Sequence, residues 1–200
     1  MQQTDKDRLY GATSSTLRAL SGNRRAQADM AAIAPALTPG GQRLRHVRDN
    51  HGTTTPHMRV PEVQEAKDIP AHRGSADSAA LFLRHHDAAT HAENRPAGGA
   101  QAALYDVMEQ MRCDALGAKN MAGVRANLRA AMEDYCIKQG YGNPNKAVAV
   151  PVHDALGLLA AEEFGLGPLP ETANIAAGEW RDWLARRNLD WDGLKDALSD

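Results

Sequence analysis

The chain has few cysteines and no long apolar run. Cys113 and Cys136 are its only cysteines. Because both fall inside helical patterns, they indicate buried thiols in a reducing compartment and not a disulfide framework. No apolar run approaches the roughly 20 residues that a membrane-spanning helix needs. The N-terminal stretch MQQTDKDRLYGATSS also lacks the apolar core of a signal peptide. We therefore expect a cytoplasmic protein that does not bind a membrane.

Aromatic residues and net charge are also scarce. Phenylalanine, tryptophan and tyrosine make up 4% of the chain, so alanine, leucine and methionine must fill the core. Alanine-rich apolar faces suit close-packed helices better than sheets. The formal net charge is −2, with acidic and basic residues interspersed. Such a balance gives no overall attraction to nucleic acid or to anionic membranes, and nucleic acid is not an expected partner.

The apolar spacing predicts a mostly α fold with about six helices in one bundle-like domain. An N-terminal helix is expected within residues 1–20, where Leu9, Thr13, Leu17 and Leu20 share one face. Residues 21–70 are rich in proline and turn sequences, which predicts a loop-rich segment. Short strands can form there at 31–34, 43–47 and 57–61, including a β-hairpin.

Residues 71–200 are predicted to form the main helical domain. The expected helices cover about 70 or 75 to 93, 104–138 with a brief break at Gly117, 150–164 and 175–184, and a last short helix starts at 190 or 192.

The stretch LRHHDAATH, residues 83–91, holds three histidines and one aspartate within the second predicted helix. Histidines that share a metal on a helix are usually four residues apart. His86 and His91 are five apart, so on a straight helix their directions diverge by roughly 140°. A metal site would therefore need a ligand from elsewhere, such as Asp87, Glu93 or Glu109. We predict no metal site here, and a small metalloenzyme built on His86, Asp87 and His91 is disfavoured by the same geometry.

A polar stripe on this helix is the better-supported alternative. Asp87 and His91 are four residues apart and share a face, where a carboxylate can fix the imidazole tautomer. Arg84 lies three residues before Asp87 and can pair with it. The stripe could serve as a proton relay or an interface contact, or it could be a hydrogen-bond network that fixes helix packing. The residues alone favour the network.

A second polar pair lies on the next predicted helix. Glu109 and Arg112 are three residues apart, beside the apolar face of that helix. A charged pair so close to a core is rarely left unpaired, so it could meet the stripe across the helix contact. The alternative is a surface ion pair of little energetic value. No G-x-S-x-G motif is present and neither cysteine has a histidine beside it, so no catalytic residue is predicted.

One long run resembles a known family. Residues 73–128, RGSADSAALFLRHHDAATHAENRPAGGAQAALYDVMEQMRCDALGAKNMAGVRANL, resemble the N-terminal region of the CobT subunit of aerobic cobaltochelatase. The tail EWRDWLARRNLDWDGLKDAL resembles the final tryptophan-containing helices of that region, so the likeness covers roughly residues 66–200. Asp114 stands where the family typically has glutamate. Full-length members continue into an acidic linker and a von Willebrand A-type domain, whose D-x-S-x-S motif does not occur in these 200 residues.

The resemblance implies a subunit or assembly domain of an ATP-dependent cobaltochelatase. Such complexes insert cobalt(II) into hydrogenobyrinic acid a,c-diamide during aerobic cobalamin biosynthesis. The implied partners are a AAA+ ATPase subunit and a large tetrapyrrole-binding subunit, in a hetero-oligomeric ring. ATP, magnesium and cobalt then belong to the complex, and this region is expected to be non-catalytic and to bind no cofactor. The alternative is a helical adaptor of a AAA+ ATPase with a role unrelated to cobalt. Under either role, Arg84, His86, Asp87, His91, Glu109 and Arg112 are the predicted interaction or polar residues.

Overall fold

The computed structural model describes residues 3–23, 25–29, 45–48, 52–59, 68–143, 148–187 and 189–197. Within these residues the fold is mostly α, as predicted, with eight α-helices and three β-strands. The helices are α1 (Gln3–Ser21), α2 (Ile69–His85), α3 (Ala88–Asn94), α4 (Gly99–Ala118), α5 (Ala122–Gln139), α6 (Val152–Ala161), α7 (Glu171–Ala185) and α8 (Trp191–Ala197). The strands are β1 (Gln27–Asp29), β2 (Arg45–Arg48) and β3 (Thr54–Arg59). A π-helical turn, Glu162–Leu166, continues α6.

The helices outnumber the prediction because two predicted helices each divide in two. The helix expected up to residue 93 is α2 and α3, which are separated at His86 and Asp87. The helix expected over 104–138 is α4 and α5, and the break falls after Ala118 and not at Gly117. At that break Arg125 Nη1 donates to the carbonyls of Ala118 and Lys119 at 2.9 and 2.8 Å, which satisfies helix-end acceptors.

The N-terminal part combines α1 with a small mixed sheet. In α1, Thr13 and Leu17 are buried on the predicted face, and Gly22, with φ of +69°, follows the last residue of the helix. The sheet has the order β1–β3–β2. The consecutive strands β2 and β3 pair antiparallel, as expected for a hairpin, whereas β1 pairs parallel to β3. The strand predicted at residues 31–34 lies outside the described residues.

Helix α2 lies between two groups of buried apolar side chains. On one side Ala76, Ala79 and Ala80 pack with Leu17 and Ala26 of the N-terminal part. The larger group joins α2 to the later helices, and it includes Leu81, Met111, Leu128, Met132, Leu158, Leu159, Leu166 and Ala177. Helix α2 is thus the element that connects the N-terminal part to the main helical core.

The packing of α2 on α5 is unusually close. A Cβ atom at Gly74 would lie 1.9 Å from the backbone oxygen of Asn127, so only glycine fits the backbone approach at this crossing. The side chain of Asn127 also donates to Asp77 Oδ2 at 2.9 Å across the same contact. Glycine and a hydrogen bond together fix the position of α2, whose C-terminal end carries the candidate site.

Several polar groups are buried in this helical core. Asp114 of α4 is fully buried and accepts hydrogen bonds from Ser78 Oγ at 2.9 Å and from Gln110 Nε2 at 3.1 Å. His72 is also buried, and its Nε2 lies 2.8 Å from Thr13 Oγ1. Such partners offset the cost of burying polar atoms. Across the described residues, no helix combines the length and apolar character needed to cross a membrane.

Candidate functional site

The candidate site is built at the break between α2 and α3, against one face of α4. Asp87 causes the break, because it adopts an extended conformation and its side chain accepts from the backbone nitrogen of Thr90 at 2.7 Å. This is the hydrogen bond of a helix N-cap, and the backbone bond from Thr90 is the main reason the pKa of Asp87 is lowered. The new helix direction determines where the histidine at position 91 can point.

His86 stands at the end of α2 and contacts α4. Its ring stacks on Phe82, one turn earlier, with centroids 4.1 Å apart. Its Nδ1 lies 2.9 Å from Glu109 Oε1, and both side chains are only 14% exposed. This contact joins His86 to a carboxylate of α4.

Arg112 holds Glu109 from the other side. Its Nε donates to Glu109 Oε2 at 2.7 Å and its Nη2 to Oε1 at 2.8 Å. The same Nη2 donates to the carbonyl of His85 at 2.8 Å, which satisfies an acceptor at the end of α2. Burial of Glu109 opposes its ionisation, but the bonds from Arg112 and His86 outweigh burial and leave its pKa lowered. Glu109 is therefore an ionised, oriented carboxylate.

His91, on α3, is oriented by a second carboxylate. Its Nε2 lies 3.0 Å from Asp106 Oδ1, and its ring lies beside that of Tyr105 at 4.8 Å between centroids. Arg95 holds Asp106 with two bonds of 2.7 Å. Those bonds are the main reason the pKa of Asp106 is lowered. The other imidazole nitrogen of His91, Nδ1, is buried and has no hydrogen-bond partner in the described part of the chain.

The two histidines meet at this site. The rings of His86 and His91 lie edge to face with centroids 4.8 Å apart. One nitrogen from each ring and one oxygen of Glu109 all lie within 4.8 Å of one another. Two imidazoles and a carboxylate are ligand types that zinc and related divalent ions accept. These three side chains are thus the residues of the site that could hold a metal ion.

An open pocket of about 560 Å³ borders this group. Its polar lining residues come from α2, α3, α4 and the break at Asp87, and its apolar lining residues include Phe164 of the π-helical turn and Leu194 of α8. The volume falls in the range of about 300–1,000 Å³ typical of small-molecule sites. The lining residues are His85, Asp87, Thr90, His91, Tyr105, Met108, Glu109, Arg112, Phe164 and Leu194.

The structure brings together four of the six predicted polar residues. His86, His91, Glu109 and Arg112 form the site. The hydrogen-bond partner of Glu109 across the helix contact is His86, which is not a member of the expected stripe. Arg84 instead donates to the carbonyl of Leu20 at 3.3 Å, and Asp87 caps α3. The expected Arg84–Asp87–His91 stripe does not form, because the helix that was to carry it is interrupted. The role of these residues in interactions stays a prediction.

The break between α2 and α3 also removes the geometric objection to a metal site at His86 and His91. A divergence of 140° between His86 and His91 requires one straight helix, and the chain bends between them. The sequence reasoning also missed Asp106, Arg95 and Tyr105. The spacing of Asp87 and Thr90 was a signal for the break, since aspartate at an N-cap bonds the amide three residues later. No local pattern linked His91 to Asp106, which lies on the next helix.

By its fold the chain is a mostly helical protein with an open pocket lined by histidines and carboxylates. A family model described as cobalamin biosynthesis protein CobT matches residues 3–200. The chain therefore belongs to the CobT family, and this membership links it to cobalamin biosynthesis. The match extends beyond residues 66–200 to the N-terminal part, which the resemblance seen in the sequence does not cover. No solved structure matches the chain.

Proposed function

We propose that this chain is an assembly domain of an ATP-dependent cobaltochelatase, the complex that inserts cobalt(II) into hydrogenobyrinic acid a,c-diamide. The observation that carries the proposal is the family match over residues 3–200. In this role the domain contacts a AAA+ ATPase subunit and, through it, the large tetrapyrrole-binding subunit. The domain itself supplies no ATP site, and the ATP, magnesium and substrate cobalt of the insertion reaction are bound elsewhere in the complex.

The surface offers one place to begin a search for the contact. Ile137 and Ile175 are 59% and 54% exposed. Val148, which is 40% exposed, and Ile175 lie near the tight turn after α5, because a Cβ at Gly140 would be 3.7 Å from Val148 Cγ2 and one at Gly142 would be 3.4 Å from Ile175 Cγ2. Ile137 lies in the last turn of α5, just before this turn. Grouped exposed aliphatic side chains are typical of protein-binding surfaces. We name Ile137, Val148 and Ile175 the aliphatic patch.

The experiment is size-exclusion chromatography with light scattering on this chain mixed with the AAA+ subunit, with and without ATP. The proposal expects a stable complex whose formation depends on nucleotide. The double variant Ile137→Ser/Ile175→Ser tests the aliphatic patch, and Leu189→Ser, at a residue that is 41% exposed, is the matched control. Absence of any complex under every nucleotide condition contradicts the proposal.

A reconstituted insertion assay separates the two candidate functions. The three subunits are mixed with hydrogenobyrinic acid a,c-diamide, cobalt(II) and ATP, and insertion is followed by the absorption of the corrin ring. Insertion that requires this chain supports the cobaltochelatase role. A nucleotide-dependent complex without any insertion instead favours the alternative, a helical adaptor of a AAA+ ATPase with a role unrelated to cobalt.

A further inference from the structure

We propose that His86, His91 and Glu109 form a binding site for a divalent first-row transition-metal ion such as Zn²⁺ or Co²⁺. The family match assigns no metal to these residues. The inference does not depend on the chelatase role, because it rests on the geometry of three side chains and the groups that orient them.

The distances are close to those of a metal centre. Ligand atoms about 2.1 Å from a tetrahedral ion lie roughly 3.4 Å from one another. Here the most widely separated ligand atoms of the three residues are within 4.8 Å, so moderate side-chain rotation closes the site. His86 Nδ1 and Glu109 Oε1 are already 2.9 Å apart. A bound ion would replace the hydrogen bond between these two atoms.

The surrounding groups prepare His91 as a ligand. In metal sites the second ring nitrogen of a ligating histidine usually donates to a carboxylate, which fixes the tautomer and the ring orientation. Asp106 lies 3.0 Å from His91 Nε2 and is itself held by Arg95. When Nε2 carries the proton, the lone pair is on Nδ1, and Nδ1 is the buried atom that has no hydrogen-bond partner.

A purely structural network accounts for only part of this arrangement. The contacts among His86, Glu109 and Arg112 are what a packing network would provide. Such a network leaves the buried Nδ1 of His91 with its desolvation cost uncompensated. An ion bound to Nδ1 accounts for that atom and for the convergence of the two rings.

The proposed centre faces the pocket. His91 and Glu109 both line it, and three protein ligands leave a fourth tetrahedral position for water or another small ligand. Structural zinc sites have four protein ligands, whereas catalytic sites keep one coordination position for water or substrate. The proposed centre is of the second kind. The ion is therefore expected to exchange and to accept a small anionic or nitrogenous ligand from the pocket side.

The test is metal binding by the full 200-residue chain. Isothermal titration with Zn²⁺ measures stoichiometry and affinity, and the visible absorption of the Co²⁺ adduct reports the coordination geometry. The proposal expects one ion per chain and a tetrahedral cobalt spectrum in the wild type, with little binding of Mg²⁺, which prefers oxygen ligands. His91→Ala and Glu109→Gln should each abolish stoichiometric binding. Asp106→Asn should weaken binding by about 10–100-fold, since it removes only an orienting group.

The control uses a histidine away from the site. His153→Ala changes a partly exposed histidine on α6 and should bind like the wild type. Circular dichroism checks the fold of every variant, and a Zn²⁺-dependent rise in Tm of the wild type supplies a readout that needs no variant. No stoichiometric binding by the wild type, or binding that persists in folded His91→Ala, overturns the proposal.

Discussion

The close approach of α2 and α5 leads to a quantitative prediction for Gly74→Ala. The added Cβ would lie 1.9 Å from the oxygen of Asn127, 2.5 Å from its carbonyl carbon and 2.8 Å from Ala131 Cβ. Contacts of real Cβ atoms are essentially never below 3.0 Å, so α2 has to move by about 1 Å. The obstacle is helix backbone, which cannot rotate away, and the movement also strains the bond between Asn127 and Asp77.

The expected cost follows from two opposing effects. Overpacking of a close contact costs typically about 1–3 kcal/mol. Because the obstacle here is rigid helix backbone, we expect a cost at the upper end, about 3 kcal/mol. Replacing glycine by alanine inside a helix returns about 1 kcal/mol. The net loss of unfolding free energy is therefore about 2 kcal/mol, which for a chain of this length lowers Tm by about 4–8 °C.

Thermal unfolding followed by circular dichroism measures this change. The matched control is Gly178→Ala in α7, where a Cβ would meet nothing within 4 Å. There the same exchange should raise the unfolding free energy by about 0.5–1 kcal/mol. If Gly74→Ala is as stable as the wild type, the reasoning about the α2–α5 crossing is wrong.

Three further predictions concern buried titratable groups. Burial raises the pKa of Asp114 from 3.8 to about 8. The proton on Asp114 therefore contributes its full stabilisation below pH 3.8, and this contribution is lost as the pH rises through 8. Urea titrations at a series of pH values should show that the unfolding free energy of Asp114→Asn declines less steeply over this range than that of the wild type. Burial, with a smaller effect of Arg73, lowers the pKa of His72 from 6.5 to about 4. The folded state then binds fewer protons, so stability falls as pH drops from 6.5 to 4, and His72→Gln should reduce that fall. Burial raises the pKa of Cys113 and takes that of Cys136 to about 12, so a thiol reagent at neutral pH should label both only after unfolding.

The sequence predicted where helices occur better than where they end. The faces of α1, α4 and α5 follow the 3.6-residue period of apolar side chains, because those faces pack on the core. The division of the second predicted helix depends on a hydrogen bond from Thr90 to Asp87, which periodicity does not detect. The parallel pairing of β1 with β3 depends on contacts between distant segments, and short polar strands carry little local signal for such pairing.

The site shows the same limit. Residue types drew attention to His86, His91, Glu109 and Arg112, because charged and imidazole groups beside an apolar face need partners, and the structure places these four side chains together. Which of them meet depends on the direction of α3 relative to α4. The orienting role of Asp106 could not be found from the sequence, since its partner His91 lies 15 residues away on another helix.

The position of α2 between two unequal apolar groups has a consequence for how the protein opens. Among the described residues, the buried members of the N-terminal group are four alanines and Leu17. This group therefore contributes much less burial energy than the leucine- and methionine-rich main core. Amide hydrogens of α1 should consequently exchange through a partial opening that leaves α4 and α5 folded, while those of α5 exchange only with global unfolding. On this expectation the protein behaves as two cooperative units. In the less stable one, α1 separates from α2 and packs on it again while the main helical core stays folded.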